Sequence, residues 1–497
     1  MNRRQLLLSS AALGLQAAAA PVFANTDTYR SFHAALKRDP SLSVLADLVG
    51  ERAGAAVIKG RMPADLEGVF FRNGPGRFEL GGERYHHWFD GDGFAQRWQI
   101  SPGKVSHRGK FVATQKFTDE SQAGKFLYPA FGTRVGRRAA NNNDTMNAAN
   151  TNLLPFGGRL YALWEGGSAT ELDPATLATL GIRTWRDDLK SMPFSAHPKI
   201  DGDGSMWNFG ALPGFDRLAL YRIGANGDLL QAGVVEVAQL AMVHDFAISE
   251  RHLIFLVPPY DLLPDTGLSF AGRHAWAGGG PQARPMRAVV VSKATLQVRQ
   301  VFELAPSMVF HFGNAFDDGQ TTRLDAVLHD GDALASFGAL MRGERQPNLP
   351  ERSHTAQIVL DYASGKASQS RLFGNSEFPR VMPQQVGRRH RKLAVLGSAS
   401  RNRAHILDTV NLVDTDTGKA DSFTFDAGWQ AEEHVLVPRR NARSETDGYL
   451  VGVVQDTRRG ETVMTVFDAA HVGDGPLALA RLAYRTPVCF HGNFLPA

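Results

Sequence analysis

Four of the sixteen histidines lie in settings unlike the rest: Ala196-His197-Pro198, Val243-His244-Asp245, Phe310-His311-Phe312 and Phe490-His491-Gly492. Each is in or beside an apolar or aromatic stretch, where an uncompensated imidazole is costly to bury. A shared metal would compensate them, and metal-bound imidazoles usually donate their second N–H to a carboxylate or carbonyl. Three glutamates suit that role. Glu165 ends the apolar run 160–164. Glu377 and Glu433 sit in strand-like surroundings. The other histidines need only ordinary explanations. His86 and His87 are neighbours and on a strand would point to opposite faces. His33, His252, His274 and His471 have no suggestive setting.

The spacing says what must position these residues. The histidines are 47, 67 and 180 residues apart, and Glu377 and Glu433 cut the last gap into steps of 66, 56 and 58. No local motif spans such distances. A shared site needs a fold that brings remote strands to one axis, as a β-propeller does. Strand-like runs at 159–164, 252–257, 288–291, 392–397, 449–454 and 462–467 are separated by Gly, Asp, Asn and Pro clusters. Helical patterning is confined to 28–48 and 333–342. Many short strands without alternating helices point to an all-β sandwich or propeller.

Residues 1–24 read as an export signal. Arg3 and Arg4 precede an apolar run too short to span a bilayer, and Val22-Phe23-Ala24 offers a cleavage site. The paired arginines favour the twin-arginine route. No linker divides residues 25–497, which are read as one domain. Without Arg3 and Arg4 the net charge falls from +4 to +2, so wholesale nucleic-acid binding is not indicated. The basic groups Arg388, Arg389, Arg391, Lys392 and Arg439, Arg440 read as solvated loops. Cys489 is the only cysteine, so no internal disulfide is available and the thiol is expected to be a small buried side chain. Asp90-Gly91-Asp92-Gly93 and Asp201-Gly202-Asp203-Gly204 lack the Gly and Glu of a calcium-binding EF-hand loop and read as turns.

Further motifs carry a family resemblance. They are Phe70-Phe71-Arg72-Asn73-Gly74-Pro75, His87-Trp88-Phe89-Asp90-Gly91-Asp92-Gly93, Asn150-Thr151-Asn152 and the run from Gly158 to Glu165-Gly166-Gly167. With the four histidine contexts in order, the mature chain resembles the carotenoid cleavage oxygenases. The resemblance implies a seven-bladed β-propeller with a metal on its central axis and a few helices and loops capping one face. The implied cofactor is Fe(2+), held by His197, His244, His311 and His491. Glu165, Glu377 and Glu433 would support His244, His311 and His491, leaving His197 without a carboxylate. Glu432 is the rival for the position of Glu433, and exchanging it for Gln is expected to be nearly silent. Thr151 matches a threonine that crowds an open iron position.

The implied reaction is dioxygen-dependent cleavage of a C=C bond of a carotenoid or apocarotenoid polyene to two carbonyl products. The partners would be an apolar small molecule and O₂, with peripheral membrane contact for substrate uptake, in the periplasm. Stilbene cleavage is the alternative. It calls for a Tyr near 105–110 and a Lys near 134–143, and neither is present. His107, Arg134 or Arg137 would then have to hold a phenol. A non-catalytic carotenoid-binding propeller has no need of four ligands, and a calcium-dependent lactonase-type propeller would need hard oxygen ligands instead.

Overall fold

Strands such as His252–Val257 and Gly448–Asp456 are buried at every position. A strand covered on both faces reads as a continuous apolar run, so each must lie between two neighbouring sheets. By contrast Thr179–Ile182 and Ala420–Thr424 are largely exposed and form outer edges. The computed structural model describes residues 25–48, 50–344, 353–399 and 407–497; the expected signal, residues 1–24, lies outside them.

The strands form seven antiparallel sheets, arranged as blades, and two small ribbons. Blade 1 ends on His491–Pro496. The innermost strands of blades 2 to 6 are Asn152–Phe156, Lys199–Ile200, Ala247–Ile248, Met308–Asp318 and Ser376–Arg380. Blade 7 uses two short pieces, Trp429–Ala431 and Val435–Pro438, both paired with Gly448–Asp456. The ring closes because the last strand pairs with the early strand Gly68–Arg77, placing Asn73 opposite His491 and Phe70 opposite Phe494. The N-terminal segment straddles the seam: Arg52–Ala55 edges blade 1 and Val57–Gly60 edges blade 7.

The core consists of slabs between blades. Trp207, Phe209 and Leu220 of blade 3 meet Phe246, Phe255 and Val291 of blade 4. Gly93 in blade 1 is required by close approach, since a Cβ there would lie 2.1 Å from the Ala149 carbonyl oxygen. That contact sets the segment leading into Thr151.

The helix expected over 28–48 is cut short. It runs Asn25–Arg38, and Pro40 then opens a 3-10 turn, Pro40–Leu45, capped by Asp39 through Ser41 N at 3.1 Å. Proline cannot donate to an ongoing helix and restricts the residue before it. The helix Ala333–Met341 is close to its expected place. A further helix, Gln115–Ala123, lay unread although Thr114 caps it through Phe117 N and Gly124 ends it in the left-handed region. Its Lys116 is fully buried against Asp92 and Glu120. Asp90-Gly91-Asp92-Gly93, expected as a turn, instead runs from a 3-10 helix into the strand Asp92–Ser101, and both its aspartates are buried. Among the described residues no helix is long and apolar enough to cross a membrane.

Phe255 is fully buried and stacks on Phe246, two residues beyond His244. Phe255→Ala is expected to lower the unfolding free energy by about 3–5 kcal/mol, measured by guanidinium denaturation.

Candidate metal centre and its cavity

The blades each bring one residue to the axis, at or near the start of the innermost strand. These are Thr151, His197, His244, His311, Glu377 and Glu433 from blades 2 to 7, and His491 from blade 1. The four imidazoles each offer a nitrogen within 4.8 Å of the others. Their rings lie at steep angles, with His197 and His491 centroids 4.5 Å apart at 85°. His311 reaches the axis through a bulge, since the register with the next strand shifts between Val309 and Phe312 and again before Asn314. Such bulges re-aim side chains. In blade 6 a second irregularity separates Glu377 from Arg380, and Phe378 takes a left-handed φ of 55°. Its ring stacks on His311 at 5.1 Å.

Three imidazoles are gripped from behind. His244 Nδ1 donates to Glu165 at 2.6 Å, His311 Nδ1 to Glu377 at 2.6 Å and His491 Nδ1 to Glu433 at 3.0 Å. A proton held on Nδ1 leaves the Nε2 lone pair free. Among the described residues His197 has no carboxylate partner; its backbone N–H donates to Ser195 Oγ at 3.1 Å. Burial, with the other imidazoles adding to it, holds His197 well below the usual histidine range. Burial also pushes His491 down to about 4, against the pull of Glu433. Burial pulls His244 down, but Glu165, with Asp245 and Glu377 adding to it, leaves it raised above the usual histidine value. Burial disfavours charge on Glu377 and Glu433 as well. His311 and His329 nevertheless hold Glu377 well below the carboxylate range, and Arg380 with His491 does the same for Glu433.

This donor set fits a divalent transition ion. His311 Nε2 is buried with no hydrogen-bond partner. The Nε2 atoms of His197 and His244 face each other at 2.9 Å, two lone pairs in opposition unless a proton or a cation lies between them. Nitrogen-only ligands without thiolate suit iron, copper, nickel or zinc better than calcium or magnesium.

A family model described as retinal pigment epithelial membrane protein matches residues 47–496. The chain belongs to the carotenoid cleavage oxygenase family. It is 29% identical over 460 residues to the apocarotenoid-15,15'-oxygenase of Synechocystis, covering 88% of this chain and 92% of that protein. It is 28% identical over 472 residues to lignostilbene-alpha,beta-dioxygenase isozyme III of Sphingomonas paucimobilis, covering 88% and 93%. The structure of cobalt-substituted Synechocystis apocarotenoid oxygenase superposes with a TM-score of 0.83 at 27% identity, covering 92% of this chain and 98% of that one.

In this family member three of the four histidines, His244, His311 and His491, line a cavity of about 940 Å³. Phe89, Phe131, Phe310, Phe337, Phe378 and Phe490 form much of its wall, and Thr151 lines it with its hydroxyl tied to Asn150 at 3.0 Å. Of the three residues that a phenol might have used, only Arg134 lines the cavity, and it pairs with Asp265 at 2.7 Å. His107 is bonded to Gln96 and Tyr484 within blade 1, and Arg137 is clamped by Glu83.

Glu432, the rival for the position of Glu433, bonds none of the four histidines among the described residues. It is buried and held by Arg72 at 3.1 Å, Gln455 at 2.6 Å and the Cys489 N–H at 2.8 Å. Its exchange for Gln, expected to be nearly silent for metal and turnover, would take the carboxylate from the fully buried Arg72 guanidinium and so lower stability. Two residues went unread in the sequence. His329 Nε2 bonds Glu377 at 2.7 Å, and Arg380 grips Glu433 with two bonds at 2.9 and 3.0 Å. His329 stands in an unremarkable strand. Arg380 is three residues past Glu377 and only the bulge turns it towards the next blade.

Glu165→Gln, Glu377→Gln and Glu433→Gln are each expected to weaken divalent-metal binding roughly 10- to 100-fold, read by metal titration. Glu432→Gln should keep its metal stoichiometry while losing about 3–5 kcal/mol of stability, read by denaturant unfolding of the same preparations.

Proposed function

We propose that this chain is an iron(II)-dependent dioxygenase that cleaves a C=C bond of an apocarotenoid or similar polyene to two carbonyl products. The observation that carries the reading is a cluster of four buried imidazoles, of which the three anchored on carboxylates line an aromatic cavity. Iron(II) held by His197, His244, His311 and His491 would supply the activation of dioxygen. The reaction balances without a co-reductant: each carbon of the broken double bond takes one oxygen atom of O₂.

The protein's own task is then positioning. An apolar polyene offers no charge to grip, so the phenylalanine wall must align it by shape and exclude water. Thr151, its hydroxyl engaged by Asn150, adds bulk beside the axis, and the family resemblance supports its crowding one open position of the metal. The similarity to an apocarotenoid oxygenase supports the polyene. The missing Tyr and Lys, and the engagement of His107 and Arg137 elsewhere, weigh against a phenolic stilbene.

The paired Arg3 and Arg4 support export to the periplasm. Leu263 and Leu268 are 38% and 42% exposed, and Leu268 also lines the cavity. An apolar rim of this kind supports peripheral contact with a membrane from which substrate could be drawn.

Purified protein is expected to carry about one iron per chain and to consume O₂ while splitting an apocarotenal into two carbonyl products identified by mass. Full activity with zinc as the only metal would sink the reading. Tight polyene binding without O₂ uptake by iron-loaded protein would favour a binding protein instead. Replacing Arg3 and Arg4 by Lys should leave the folded enzyme in the cytoplasm, as read by cell fractionation. Unchanged export would point to the general secretory route.

A further inference from the structure

The three carboxylates behind the histidine cluster are engaged to different degrees. Among the described residues Glu165 accepts only the His244 N–H. Glu433 accepts His491, two bonds from the Arg380 guanidinium and the Gly492 N–H. Glu377 is held on both oxygens too, but by a different group. Its Oε2 takes the His311 and Phe378 N–H groups, each at 2.6 Å, and its Oε1 takes His329 Nε2–H at 2.7 Å. Glu165 serves His244 without a second side chain, so a carboxylate–imidazole pair does not by itself require one. What a second donor adds is a fixed carboxylate plane. The last torsion of a glutamate is broad and roughly two-fold, and a bond to the far oxygen pins it.

The fold accounts for the contact. His311 lies on the innermost strand of blade 5, Met308–Asp318, and His329 ends the neighbouring strand Thr321–His329. Glu377 comes from blade 6 and bridges the two. The His329 ring is packed edge-on against Phe310, with centroids 5.2 Å apart, and it is not one of the four clustered imidazoles. An imidazole can pin a carboxylate without the permanent positive charge that a guanidinium would bring towards a cation.

We propose that His329 is a positioning residue for the metal centre: through its N–H it sets the plane of the Glu377 carboxylate, and Glu377 in turn sets the angle at which His311 offers Nε2. Without that bond Oε1 is left to find another partner. The carboxylate then turns about its last torsion, and Oε2 no longer holds His311 at one angle. His329 thus does for Glu377 what Arg380 does for Glu433. The role rests on the reading of the four histidines as a metal site, and it adds a residue of blade 5 to what that site needs.

Two substitutions in the full chain separate hydrogen bonding from packing. His329→Phe keeps a ring against Phe310 and removes the donor. His329→Gln removes the ring but retains an N–H at about the reach of Nε2. Cobalt(II) is the probe: its affinity is read by titration, and its visible bands report the ligand field without turnover. In His329→Phe the affinity should fall roughly tenfold, the lower end of the range for partners behind metal-bound histidines, and the bands should shift. In His329→Gln both should return to within about threefold of the unaltered protein. If His329→Phe does not fold, His329→Leu, which also lacks a donor, is read in the same way. The reverse order, with Phe tolerated and Gln damaging, shows a packing role and overturns the proposal. Equal loss in both variants, or unchanged affinity and bands in both, overturns it as well. Glu165→Gln, titrated alongside, tells the two readings apart. If it loses cobalt while the His329 variants match the unaltered protein, the metal site stands and the role of His329 falls. If the unaltered chain takes up no cobalt, the metal-site reading fails and this role falls with it.

Discussion

The structure depends on keeping four imidazoles buried with a ring nitrogen of each aimed at one spot. An imidazole left to itself in such a place would be held by chance hydrogen bonds, and its free nitrogen could face either way. Here the choice is made from behind. Glu165, Glu377 and Glu433 take the Nδ1 protons, so three lone pairs face the axis. The arrangement has a cost, since each carboxylate is a charge withdrawn from water. Propeller geometry makes it affordable in space as well as in energy: neighbouring innermost strands present ligand and acceptor side by side, from blades 5 and 6 for His311 with Glu377 and from blades 7 and 1 for Glu433 with His491.

The acceptors are themselves fixed, and this distinguishes a site from a collection of core histidines. Glu377 is shared by His311 and His329, and it also takes the Phe378 N–H at 2.6 Å. Glu433 is held by Arg380 and by the Gly492 N–H at 2.8 Å, so its position is tied to the strand that carries His491. Asp245, beside His244, binds Lys199 at 2.8 Å and the Phe312 N–H at 2.9 Å, linking three ligand-bearing blades. A fully satisfied polar network of this kind is rigid, because loss of any member leaves a buried charge unpaired. Rigid support is what a ligand set needs if its geometry is to survive an apolar substrate moving through the cavity beside it.

The aromatic wall works by a different rule. Phe89, Phe131, Phe310 and Phe337 pack against one another at centroid separations of 5.1 to 6.0 Å, at angles from 39° to 90°. Such a lining supplies shape and excludes water but gives no directional hold. Polar side chains on it are engaged with one another, as Thr151 is with Asn150 and Arg134 with Asp265, while His311 Nε2 is left for the metal.

Much of this was legible in the chain. The apolar settings of His197, His244, His311 and His491 marked them because burying an imidazole demands a reason. The near-regular steps through Glu377 and Glu433 reflect the length of one blade, a property of sequence. Motif resemblance then supplied the pairing of glutamates with histidines. Other features depended on the fold. The helix break at Pro40 was local and could have been read. His329 and Arg380 were not marked because nothing in their own segments differs from ordinary strand. Their roles come from bulges and from blades distant in sequence that meet at the axis. The partners of Glu432 and the distance of His107 from the cavity also depend on which neighbours surround them. The sequence by itself determined which side chains needed a partner, since that follows from residue type and local hydrophobicity. Only the tertiary structure decided which partner each one found, because hydrogen bonds and ion pairs act over a few ångströms of space, whatever the separation along the chain.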